Sequence, residues 1–90
     1  MRFEWDRGKA EHNLRAHGVS FEEASTVFFD SLSVTGGDPD HSLGERRYVI
    51  FGQSSAGRFL VVAHTERDDR IRIISAREGS RSERKLYEEG

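Results

Sequence analysis

The order of apolar patterns along the chain predicts an α+β domain of two layers: an antiparallel sheet of about four strands, two N-terminal helices and a C-terminal helix. Three observations predict it. Helix-capping residues and helical spacing occupy residues 6–29. Strand runs separated by short turns occupy residues 46–76. A charged segment with Leu86 and Tyr87 as its main apolar residues closes the chain.

Arg2 to Trp5 alternates Phe3 and Trp5 with Arg2 and Glu4, the pattern of a short strand. Asp6 is placed to cap a helix over Arg7–His17, and Gly18 to end it. The apolar content of that helix is thin: Ala10, Leu14 and Ala16. Ser20 and Glu23 form an S-x-x-E capping box that opens a second helix through about Phe29. Phe21, Ala24, Val27 and Phe28 recur at helical spacing and are expected to face the sheet. Ser33–Thr35 reads as a short strand, and GGDPDHSLGE, with the sole proline, as a turn-rich loop. Arg46–Gln53 is a strand, Ser54–Gly57 a tight turn, and Phe59–Arg67 the next strand. Asp68–Asp69 turns the chain into Ile71–Ala76, completing an antiparallel meander. Glu78–Glu89 is expected to be helical, with Gly79 and Ser80 weakening its start.

Ninety residues suit one domain. Apolar residues make up 34% and charged residues 33%, which suits a sheet covered by helices on one side and polar on the other. The chain has no cysteine, so it has neither a disulfide framework nor a thiolate metal site. That usage, the lack of a signal-peptide core in MRFEWDRGKA and the lack of an apolar run near the ~20 residues of a membrane span lead to the expectation of a cytoplasmic protein.

The net charge of −2 conceals an asymmetry: residues 1–45 carry −5 and residues 46–90 carry +3. Nine of the ten cations in the second half are arginine, whose planar fork suits phosphate. Five of them, Arg58, Arg67, Arg70, Arg72 and Arg77, stand around the apolar runs within RFLVVAHTERDDRIRIISAR, a stretch expected to build both core and a phosphate-binding surface. Strand alternation puts Arg70, Arg72 and Ile74 on one parity and Ile71 and Ile73 on the other. The hairpin register decides which parities meet. A cluster of Arg67, Arg72 and Arg77 at one end of the sheet and a functionless Glu66–Arg72 ion pair both fit the pattern.

Metal-free RNA cleavage needs a base for the 2′-hydroxyl, positive charge for the pentavalent phosphate and a proton for the leaving 5′-oxygen. His41, Glu45, His64 and Glu66 have the side chains for proton movement. His64 lies in a strand core, where a satisfied histidine is the plainer reading; His41 also fits a loop-capping role. No strong metal signature, nucleophile elbow or phosphate-binding glycine loop occurs.

Three segments carry a resemblance to a known family: FEWDRGKAEHNLRAHGVSFEEASTVFFD, DHSLGERRYVIFGQSSAGRFLVVAHTER and IRIISAREGSRSERKLYEE. In this order they cover nearly the whole chain, and together they resemble the BrnT toxins of type II toxin–antitoxin pairs. The resemblance implies a RelE-like fold and a metal-independent endoribonuclease, without cofactor, that blocks translation. It implies a ribbon-helix-helix antitoxin of the BrnA type, with operator DNA bound only through that antitoxin. The family's H-S-x-x-E-R falls on His41, Ser42, Glu45 and Arg46, its T-E-R on Thr65, Glu66 and Arg67, and its R-I-I-S-A-R on Arg72 to Arg77. Glu78 and Gly79 depart from the small or basic residues usual after the last arginine. Arg67, Arg72 and Arg77 are thus expected to hold the scissile phosphate. Glu45 or His41 is expected to move protons, and Arg46, Arg47, Thr65 and Glu66 to contact RNA. A non-catalytic co-repressor module that grips its antitoxin is the alternative.

Overall fold

In the computed structural model, which describes residues 1–38 and 46–90, the sheet has five strands in the order β1-β5-β4-β3-β2. The elements follow the chain as β1 (Arg2–Glu4), α1 (Arg7–His17), α2 (Phe21–Thr26), β2 (Val34–Gly37), β3 (Arg47–Gln53), β4 (Phe59–Arg67), β5 (Arg70–Glu78) and α3 (Arg81–Glu89). The predicted class holds, with one strand more than expected. β2 to β5 form the antiparallel meander, while β1 joins the far edge parallel to β5. The part of the expected loop that covers residues 39–45 lies outside the described residues, and Gly36 and Gly37 belong to β2.

Local chemistry explains most boundaries. The Asp6 carboxylate accepts the Lys9 N–H at 2.9 Å, and Gly18 ends α1 in the left-handed region at φ 69°. Ser20 caps α2 as expected, but Glu23 does not complete that box: its carboxylate accepts from Arg58 Nε at 3.0 Å and from the Ser54 hydroxyl at 2.7 Å. α2 ends at Thr26, and a single 3-10 turn carries Val27–Phe29. The full capping box stands instead at Ser80 and Glu83, which makes Ser80 a start signal for α3 rather than a weakness.

α1, α2 and the 3-10 turn cover one face of the sheet. Val19, Phe21, Ala24 and Val27 pack there against Ile50, Leu60, Val62, Ile71, Ile73 and Ala76. Leu14, expected to help bury α1, is half exposed, and the buried side chain of that helix is Asn13. The second face is not simply polar. Phe59 and Val61 are buried on it, and Tyr87 of α3 packs 5.2 Å from the Phe59 ring. Apolar residues on both parities of β4 require cover on both sides, and α3 supplies it at the Phe59 end. No helix among the described residues is long and apolar enough to cross a membrane.

Candidate active site

The hairpin of β4 and β5 is closed by two residues, Asp68 and Asp69, with Asp68 in the left-handed region at φ 56°. Aspartate tolerates that conformation better than most side chains. The short turn fixes the register: Arg67 stands opposite Arg70, and Thr65 opposite Arg72. These four residues share the face away from α1 and α2, because Ile71, Ile73 and His64 are buried on the other. β1 then brings Glu4 alongside Arg72 and Arg2 alongside Arg70.

The outcome is a hollow of about 280 Å³ lined by Glu4, Thr65, Arg67, Arg70 and Arg72. It lies just below the ~300 Å³ at which pockets begin to hold drug-sized ligands, so it suits a small anionic group better than a whole cofactor. Glu4 Oε2 accepts from Arg72 Nη1 at 3.1 Å, and Glu4 Oε1 lies 3.6 Å from Arg70 Nε. Three cations and one anion leave the lining with an excess of positive charge.

Arg77 stands elsewhere. An irregularity between the Ala63 and His64 pairings leaves Ile74 as an extra residue on β5, which returns Arg77 to the same face as Arg72. Five positions along the strand nevertheless separate the two, about 15 Å. The Arg77 guanidinium is held in a fork by Glu83 of α3, with both nitrogen–oxygen distances 2.8 Å. It lines a second cavity with Val49, Phe51, Val61 and Ala63. The expected meeting of Arg67, Arg72 and Arg77 is therefore corrected for Arg77: the first two converge, with Arg70 as the third member.

Glu83 shows how firmly Arg77 is engaged. Its pKa is lowered from 4.5 to about 2, first by the Arg77 hydrogen bonds and then by the Ser80 backbone N–H. A carboxylate with a depressed pKa in the folded state stabilises it fully above the unfolded value, and the contribution is lost as pH falls. The Arg77–Glu83 contribution is thus complete above pH 4.5 and disappears as pH drops toward about 2. Glu83→Gln is expected to flatten the stability profile across that window, as read from urea midpoints at successive pH values.

The remaining expected site residues fall in distinct places. His41 and Glu45 lie outside the described residues. Arg46 is exposed just before β3, and Arg47 pairs with Thr65 on the arginine-bearing face. Glu66 lies on the other parity, opposite Ile71, so it does not pair with Arg72. It binds His64 Nε2 at 3.0 Å instead. His64 is fully buried between Phe28 and Tyr48, and its Nδ1 has no hydrogen-bond partner among the described residues. It is more buried and less satisfied than expected, and it faces away from the hollow.

Sequence reasoning missed Glu4 and Arg70 as lining residues. Parity sets Arg70 with Arg72 and separates Glu4 from Phe3 and Trp5, which is the available signal. Parallel pairing of the first strand with the last has no local mark. Among the described residues no cluster of three or more metal-ligating side chains occurs.

Comparison with known proteins places the chain in a family. The profile of a family described as the ribonuclease toxin BrnT of a type II toxin–antitoxin system matches residues 5–83. The chain belongs to the BrnT toxin family. The crystal structure of the Brucella abortus ribonuclease toxin BrnT has the same fold, with a TM-score of 0.66 at 19% identity. The match covers 90% of this chain and 99% of that one. No curated protein sequence matches the chain.

Proposed function

We propose that this BrnT-family chain is a metal-independent endoribonuclease whose scissile phosphate sits in the hollow between β1, β4 and β5. The convergence of Arg67, Arg70 and Arg72 on that hollow is the observation that carries the reading. Arginines on paired strands present preorganised donors to the equatorial oxygens of a pentavalent phosphate, where negative charge grows during the reaction. Thr65 adds a hydroxyl to the same wall, and Arg47, beside Thr65, steers the adjoining backbone. Arg46 extends that steering toward solvent. The roles of His41 and Glu45 in moving protons rest on residue type and on the family resemblance.

In the cell the activity blocks translation by cutting RNA in the cytoplasm. A ribbon-helix-helix antitoxin of the BrnA type neutralises it, and operator DNA is bound only through that antitoxin. The test is incubation of purified protein with a short RNA in excess EDTA. Cleavage giving 2′,3′-cyclic phosphate and 5′-hydroxyl ends is expected. Intact RNA alongside tight antitoxin binding would favour the co-repressor alternative, and cleavage restored only by added divalent metal would remove the metal-free mechanism.

A further inference from the structure

Glu4 is the one carboxylate that lines the arginine hollow among the described residues. It comes from an edge strand whose register sets it directly beside Arg72. One of its oxygens takes a directed hydrogen bond from Arg72 at 3.1 Å. The other stands 3.6 Å from Arg70 Nε, beyond hydrogen-bond length, so charge rather than a directed bond holds it. Glu4 is about 40% exposed in its side chain, which leaves it reachable from the hollow.

We propose that Glu4 is the general base of the cleavage reaction, taking the proton of the attacking 2′-hydroxyl. The inference rests on the ribonuclease reading above and adds a residue to it. The 2′-oxygen forms its bond to phosphorus as its proton moves to the Glu4 carboxylate. The bond from phosphorus to the 5′-oxygen then breaks, and the leaving oxygen takes a proton from water. The products are a 2′,3′-cyclic phosphate and a 5′-hydroxyl, and the Glu4 carboxyl returns its proton to solvent.

The pairing with Arg70 and Arg72 gives this step its timing. In the resting site those guanidiniums are partly neutralised by Glu4. Once Glu4 is protonated, it no longer competes for them, and at that moment the phosphorus centre gains a second negative charge. The guanidiniums pass from carboxylate to phosphorane, so stabilisation is greater in the transition state than in the ground state. A pair that only fastens β1 to β5 predicts no such chemistry, since an amide at this position would serve nearly as well.

The charged groups facing Glu4 are Arg70 and Arg72 of β5 and Arg67 of β4, with Arg2 on its own strand. Arginine does not titrate in the acid-to-neutral range, so these neighbours add no acid limb of their own, and a limb that Glu4→Gln removes belongs to Glu4 rather than to His41 or Glu45. The experiment is single-turnover cleavage of a short RNA in EDTA, followed against pH, for wild type, Glu4→Gln and Glu4→Asp. Glu4→Gln is expected to lose about 10²-fold or more in rate, together with the acid limb. Glu4→Asp is expected to keep the limb and part of the rate. Near-ultraviolet circular dichroism reports folding, and if Glu4→Gln does not fold, Glu4→Asp and formate rescue of Glu4→Ala decide the matter. Wild type active with Glu4→Gln equally fast, or slow with its acid limb intact, overturns the role of Glu4 alone. Wild type inert toward RNA overturns this inference and the proposed function together.

Discussion

Arg72→Ala is expected to slow RNA cleavage about 10²–10³-fold, the usual cost of removing one preorganised donor from a developing negative charge. The fold should survive the change. Arg72 is 48% exposed, and its pairing with Glu4 at 3.1 Å joins two half-exposed side chains. Such a pair contributes ~1 kcal/mol at most, so the thermal midpoint should shift by no more than about 8 °C. Arg77→Ala gives the contrast. Its guanidinium is committed to Glu83, so that variant is expected to lose stability while cleaving RNA near the wild-type rate. Single-turnover rates in EDTA, set beside calorimetric midpoints, separate the two. A fully active Arg72→Ala, or an Arg77→Ala that is folded but equally inactive, would remove the assignment of the hollow.

Asn13→Ala is expected to be the most damaging single truncation on α1. The Asn13 carboxamide donates to Ala76 O at 2.8 Å and to Val19 O at 3.0 Å, and its Oδ1 accepts the Ala76 N–H at 3.1 Å. β1 pairs with β5 only over residues 70–72, which leaves the β5 edge uncovered further along. Asn13 fills that gap as a neighbouring strand's peptide group would, and it ties α1 to the sheet. Alanine orphans buried groups at about 1–3 kcal/mol each, a total of roughly 3 kcal/mol or more. That is a large share of the ~5–15 kcal/mol that holds a domain together. For a chain of this size the melting temperature should fall by about 12 °C or more. A drop of only a few degrees would mean that water takes over these bonds.

The sequence made the meander, its turns and the caps of α1 legible because each is encoded locally, while the equally local Ser80–Glu83 box of α3 was hidden by the neighbouring Gly79. Asp6 and Gly18 bound α1, Asp68 and Asp69 close the hairpin, and Phe21, Ala24 and Val27 repeat at helical spacing. What else escaped depends on partners distant in the chain. Glu23 looks like half of a capping box but is drawn to Arg58, 35 residues away. Asn13 reads as a surface polar residue until β5 arrives beneath it. Arg77 is of opposite parity to Arg72 in the sequence, and only the irregularity at Ile74 and the placement of α3 show that it returns to the same face and is held there by Glu83. The same limit hid Glu4, since nothing in residues 2–4 announces a parallel partner 68 residues downstream.

The central claim is that RNA phosphate binds where Arg67, Arg70 and Arg72 meet. It is tested most directly by following the arginine Nε–H resonances during titration with a short 2′-O-methyl RNA, whose blocked nucleophile prevents cleavage. The account predicts the largest shifts at Arg67, Arg70 and Arg72, with Arg58 and Arg77 nearly unmoved in their ion pairs. Largest shifts at Arg58 or Arg77, or shifts spread evenly over all the arginines, would contradict it.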